Sequence, residues 1–271
     1  MSGQECDGTQ VSSREADGTP MSYAALVRRF HAEPGGKLYC LHGDPMAFRV
    51  ALSAAIQVLM RGAQVALVDG ANRFDAYFIA EFARRVASHG GPSPDTLLQR
   101  IHVSRAFTCY QMEAVVTERL PAFLARTGAP VAVVFGPLDT FYDEQAPLFE
   151  VKAGIRRMME ALQRMRDAGI GILVASQDVR LGSRERSGLF PRFVTAMDEV
   201  YAVEHREGRL FLHRSNAADI LAHEQSHQQN RLKGNRHGTH RADIHNGVAG
   251  GNRELGKIQT RAAQRRSGSY G

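Results

Sequence analysis

LYCLHGDPMAFRVALSAAIQVLMRG, Leu38 to Gly62, reads as a strand, a turn and a helix in immediate succession. Strand Lys37 to Leu41 is a short apolar run, and Met46 to Arg61 repeats its apolar residues at helical spacing. Outward from this unit the same alternation continues. On the N-terminal side, SYAALVRRFHA has helical spacing and EPGGK supplies a turn before the first strand. On the C-terminal side come strand Ala63 to Asp69, helix Asp75 to His89, strand Ile101 to Ser104 and helix Tyr110 to Arg126. Then follow VAVVF (Val131 to Phe135), the helix VKAGIRRMMEALQRMRDAG and the strand GILVAS. VAVVF is a β-branched run of the kind buried on both faces. DEVYAVEHREGRLFLHR alternates about a Glu-Gly turn and predicts an edge hairpin from Glu199 to His213. Repeated strand-helix-strand units predict an α/β fold, a mostly parallel twisted sheet flanked by helices.

The chain has 271 residues, 43% of them apolar, enough for a sizeable core. Residues 1–20 are polar and without periodicity, and the sequence from about Ala217 is rich in Gly, Asn, Gln, His and Arg. Both are expected to be disordered tails around an α/β domain spanning residues 21–216. No stretch approaches the roughly 20 apolar residues of a membrane span, and the N-terminus lacks the apolar segment of a secretory signal, so a cytoplasmic protein with no membrane partner is expected. Cys6, Cys40 and Cys109 have no CxxC spacing, which supports neither a disulfide framework nor a zinc site. Of the net charge of +6, most lies after Ala217, where nine Lys/Arg face four Asp/Glu. Such a tail is either an electrostatic footprint for a polyanion such as DNA or a solvated extension. Its five histidines, His223, His227, His237, His240 and His245, are too irregularly spaced to predict a formed metal site.

The strand-turn-helix at Leu38 has the layout of a phosphate-binding loop, G-x-x-x-x-G-K-[ST], without its reactive residues. Gly43 keeps the first place, and Phe48, Arg49 and Val50 fill the last three. Phe48 brings a side chain where backbone must approach a phosphate, and Val50 cannot ligate Mg²⁺. Arg49 alone could offer a cation, at a helix N-terminus whose dipole favours anions. Hydrolysis by the usual route is not expected.

Several further segments, in order and at suitable spacing, resemble the RecA/RadA-type recombinase ATPase core over roughly Gly36 to Arg214. GAQVALVDGANRFDAYFIAEFARR is similar to the family's strand-D-x-E-G-x-F-helix element, with Asp69, Gly70, Phe74 and Asp75 in matching places and Ala71 near the catalytic Glu. Arg105, Ala106, Phe107 and Gln111 match A-R-A-F/Y and its Gln-containing helix. VAVVFGPLDTFYDE stands where the Walker B strand would, with Gly136 at the place of the metal carboxylate. ILVASQ is similar to the strand whose terminal Gln senses the γ-phosphate, retained as Gln177, and the following segment with Arg180, Arg184, Arg186 and Arg192 corresponds to a DNA-contacting loop.

The resemblance implies a RecA-like P-loop NTPase fold with degenerate Walker motifs. It implies a nucleotide site at Gly43, Phe48, Arg49, Val50 and Gln177, with ATP and Mg²⁺ the cofactors such a site would take. It implies no catalytic residue, and it points to a catalytically impaired accessory in DNA recombination or repair, with DNA, a recombinase or another copy of the chain as partner. Two alternatives stay open: an active, DNA-dependent ATPase with Arg49 in place of Lys, and a protein-interaction scaffold binding neither nucleotide nor DNA. Asp69, Asp75, Asp139, Asp143 and Glu144 could regroup as a Mg²⁺ site at converging strand ends, against the plainer expectation that they cap turns and helices. Asp75, before AYFIAEFARR, reads best as an N-cap. Phe74, Tyr77, Phe78 and Phe82 lie at helical spacing and, like Met158 and Met159, are expected to pack.

Overall fold

Parallel strands covered on both faces need apolar side chains at every position, and the central strands have them. In a computed structural model of the chain, which describes residues 12–13, 23–32, 36–142, 145–177, 184–207 and 209–222, they build one sheet. The described residues fall within one compact unit, Met1–Gln228. The strands are β1 (Ser12–Ser13), β2 (Leu38–Gly43), β3 (Val65–Asp69), β4 (Ile101–Arg105), β5 (Val131–Phe135), β6 (Gly171–Ala175), β7 (Glu199–Arg206) and β8 (Arg209–Ser215). Their order across the sheet is β1-β8-β7-β2-β6-β5-β3-β4. The six from β2 to β7 run parallel, and β8 returns antiparallel to β7 through a turn in which Glu207 takes φ 52°. β1 is a two-residue addition parallel to β8.

The period-2 rule divides each strand between two cores. Tyr39, Leu41, Val65, Leu67, Val131, Val133 and Phe135 face one helical layer, while Leu38, Cys40, Ala66, Val68, Ala132 and Val134 face the other. The first layer holds α1 (Tyr23–Ala32), α2 (Met46–Met60), α3 (Ala76–Ala87) and α4 (Pro94–Leu98). The second holds α5 (Cys109–Ala114), α6 (Leu120–Thr127), α7 (Leu148–Asp167) and α8 (Leu189–Val194). α2 is buried almost all round because it lies across β2, β5, β6 and β7, whereas α3 buries only Ile79 and Ala83. Asp75 caps α3 as expected, accepting the Phe78 N–H at 3.0 Å. None of the described helices is long and apolar enough to cross a membrane.

Between α5 and α6 the helix widens to a π-turn, Val115–Arg119, in which the Leu120 N–H reaches back to the Val115 carbonyl. Pro121 is the cause: it has no N–H for the Thr117 carbonyl and its ring would press on it, so the turn loosens by one residue. α4 and α8 are additions to the helices expected from periodicity. Both are too short to show it, and α8 carries Pro191, yet Leu189, Phe190, Phe193 and Val194 anchor it in the second core.

The ordered chain also runs past the expected boundary at Ala217. Residues 217–222 form a helical turn, capped by Asn216 Oδ1 accepting from Ala218 and Asp219, with Ile220 buried in the second core. The rest of the expected tails, including Cys6 and the five C-terminal histidines, lies outside the described residues apart from Ser12 and Ser13.

Candidate functional site at the strand C-termini

In an open parallel sheet the ligand crevice lies beyond the carboxyl ends of the strands, where chain direction switches across the sheet. Here that place is between β2, which sends its chain to α2 on one face, and β6, which leads towards α8 on the other. The five residues expected to bind nucleotide have different surroundings there. Phe48 and Val50 are buried in the first core, 4% and 2% exposed, Phe48 edge-on to Phe135 at 5.2 Å between ring centres. Arg49 points outward, 4.0 Å from Asp75 and 5.7 Å from the Phe78 ring centre. Gly43, at φ 103°, is required by its neighbour: a Cβ there would stand 2.8 Å from the Val203 carbonyl of β7. A glycine matched to a phosphate motif is thus explained by strand packing.

The turn itself is short and its amides are engaged. Only Asp44 and Pro45 separate β2 from α2, and the free amides of the helix start are taken by the chain. The Asp44 carboxylate accepts the Met46 N–H at 2.8 Å, the Asp44 carbonyl accepts from Ala47, and the Pro45 carbonyl accepts from Phe48. An anion already sits on the positive end of the helix.

Gln177 meets a residue that the motif comparison passed over. Arg73 Nη2 donates to Gln177 Oε1 at 3.0 Å, and its guanidinium lies 5.9 Å from the Phe48 ring centre. Asp69, 2% exposed, holds the loop that presents Arg73 by accepting the Arg73 and Phe74 N–H groups at 3.0 Å each. Arg105 Nε stands 4.0 Å from the same carboxylate. Asp69 and Gly70 therefore have a structural occupation: a Cβ at Gly70 would meet Met112 Cε at 2.2 Å and the Gly136 carbonyl at 2.8 Å.

Asp139 lies beside this network. Its side chain folds back over Gly136, whose added Cβ would fall 2.7 Å from Asp139 Cγ. Its Oδ1 is buried without a hydrogen-bond partner in the structure, and burial pushes its pKa up to about 6, with Arg73 opposing the rise and the Asp69 charge adding to it. Asp69, Asp75 and Asp139 do not form a metal site; no group of three or more His, Cys, Asp or Glu suited to a metal occurs among the described residues, and Asp143 and Glu144 lie outside them. Among the described residues, this network includes the Arg73 guanidinium, the Gln177 amide and the Asp139 carboxyl, whose pKa is raised to about 6.

Because the native state holds the Asp139 proton to higher pH than an unfolded chain does, stability falls as pH rises from about 4 to about 6. Asp139→Asn removes that loss. Its unfolding midpoint in urea is expected to exceed that of the parent by the equivalent of about 1–3 kcal/mol at pH 8 and to match it at pH 4. Equal midpoints at both values would contradict the raised pKa.

Of the expected DNA-contacting arginines, the structure describes the side chains of Arg186 and Arg192. Arg186 is 5% exposed and turned inward, its Nη1 and Nη2 donating to the Phe141 and Ala146 carbonyls at 2.5 Å each, so it presents no charge to a DNA strand. Arg192 is exposed on α8. Arg180 and the Arg184 side chain lie outside the described residues. No protein-family model matches the sequence, and no curated protein matches it.

Proposed function

We propose that the chain is a RecA-like protein without nucleotide hydrolysis, an accessory in DNA recombination or repair that docks a recombinase or a second copy of itself. The recombination setting comes from the motif resemblance and the α/β frame that carries it. A carboxylate on the α2 N-terminus and two core side chains in the motif's last places support the loss of hydrolysis. The observation that carries docking is an aromatic rim: Phe107, Tyr110 and Phe149 are 69%, 56% and 73% exposed. They lie just before α5, on α5 and on the first turn of α7, and Tyr110 donates to Glu150 at 2.5 Å, tying the two helix starts together. Exposed aromatics in one place are what protein interfaces bury, and monomers seldom leave them bare.

Sedimentation of the full chain, alone and with a purified RecA-type recombinase, tests this reading. A self-complex or a mixed complex is expected, weakened at least tenfold by Phe107→Ser with Phe149→Ser, while Mg-ATP gives no saturable heat in calorimetry. A chain that stays monomeric and ignores the recombinase would sink the docking reading, and saturable ATP binding lost in Arg49→Ala would restore the ATPase alternative. A DNA contact is a second reading, favoured by exposed Arg192 and the basic sequence after Ala217. It requires retention on DNA that weakens steeply with salt.

A further inference from the structure

β4 is the last strand of the sheet among the described residues. α6 and the π-turn cover Ala66 and Val68 of β3, but the His102 and Ser104 side chains of β4, which point to the same side, remain exposed. Between β4 and the π-turn lies a recess of about 50 Å³, with Ala66, Val68, His102, Ser104, Arg119 and Phe123 among its walls. That is room for roughly three or four waters, or one tetrahedral oxyanion, and far too little for a nucleobase.

The chemistry of the walls is one-sided. Every polar side chain lining the recess can donate a hydrogen bond, and no carboxylate lines it. Arg119 and Arg126 make no ion pair among the described residues, in contrast to Arg49, Arg85, Arg157, Arg166 and Arg206, each of which has an acidic partner. The imidazole is also packed against a wall of the recess. Phe123 lies 4.8 Å from the His102 ring centre, and Arg126 stands over the same phenyl ring at 5.5 Å. With both neighbours seated on it, Phe123 links the His102 imidazole in the wall to the Arg126 guanidinium outside it. Arg119 closes the π-turn, whose extra residue changes the angle at which that side chain leaves the helix.

We propose that this recess binds a phosphoryl group, with Arg119 as its principal cation, His102 and Ser104 as further donors, and Arg126 as an outer charge. A guanidinium offers paired N–H groups to phosphoryl oxygens, and the apolar floor of Ala66, Val68 and Leu120 lowers the local dielectric and strengthens each bond. The phosphoryl group can be free phosphate or part of a single-stranded nucleic-acid backbone, which would run along the open edge of β4. The site shares no residue with the aromatic rim and stands without the docking reading.

The test follows the His102 imidazole resonances of the full chain by NMR, titrated separately with inorganic phosphate and a short oligothymidylate. Saturable shifts at millimolar phosphate are expected, weakened at least tenfold in Arg119→Ala, partly restored in Arg119→Lys and unchanged in Arg85→Ala. Oligothymidylate binding at least tenfold tighter than phosphate, with the same dependence on Arg119, identifies the nucleic-acid backbone as the source; equal affinity per phosphoryl identifies the free ion. No His102 response to either probe, or responses equal in the parent and both Arg119 variants, overturns the site.

Discussion

Arg186→Ala should lower folding stability by about 3 kcal/mol, the cost of leaving two buried carbonyls without a donor and emptying the space of a buried side chain. Arg192→Ala, six positions on and exposed, should stay within about 0.5 kcal/mol. The contrast follows from what each guanidinium touches. Arg186 spans the carbonyls of Phe141 and Ala146 with two nitrogens of one planar fork and so ties the middle of the connection between β5 and α7 to its C-terminal end. Lysine cannot reproduce that fork, and Arg186→Lys should recover less than half of the loss. Thermal unfolding is a sufficient measurement, since a domain of this size moves by about 2–4 °C per kcal/mol. Identical midpoints for the Arg186 and Arg192 variants would remove Arg186 from the framework and return it to the surface.

Gly136→Asp, which places a carboxylate just after β5, where the motif resemblance would put the Walker B acid, should damage the fold rather than create a metal site. The position has φ 52°, a conformation that costs a non-glycine residue about 1 kcal/mol. Its Cβ would stand 2.5 Å from Ala71 Cβ and 2.7 Å from Asp139 Cγ, an overpacking worth about 1–3 kcal/mol more, and the new charge would press on a carboxyl already short of hydration. A loss of about 3 kcal/mol is expected in urea unfolding, with no stabilisation on adding Mg²⁺. Gly188→Ala, where an added Cβ meets nothing within 4 Å, is the matched control and should shift the midpoint little. A Gly136→Asp protein as stable as its parent and further stabilised by Mg²⁺ would overturn this expectation.

The frame of the molecule is legible in the sequence because burial on both faces forces a local pattern. VAVVF coincides with β5, the hairpin expected about Glu207 is β7 and β8, and Asp75 caps the helix it precedes. α8 is hidden because six residues around a proline carry no period. The site is less legible for a different reason: its contacts join residues far apart in the chain. Arg73 and Gln177 are 104 positions apart, and His102 and Phe123 come from different elements. Arg186 and Arg192 look alike in a basic segment, and only packing separates a buried clamp from a surface charge. Asp44 is the exception, since an Asp-Pro step ahead of a helical pattern signals a capping carboxylate. The spacing of the phosphate-loop motif drew attention to Arg49 instead.

The Asp44 carboxylate on the Met46 amide also sets a threshold for any anion arriving at α2. A tethered group acts at an effective concentration fixed by its tether, commonly millimolar or higher, whereas a free ligand acts only at its own. A triphosphate at this turn would have to displace a competitor that never diffuses away, and would gain only the difference between two anions on the same amide. Asp44 is in this sense a resident competitor carried in the chain, set against any anion that arrives at the start of α2.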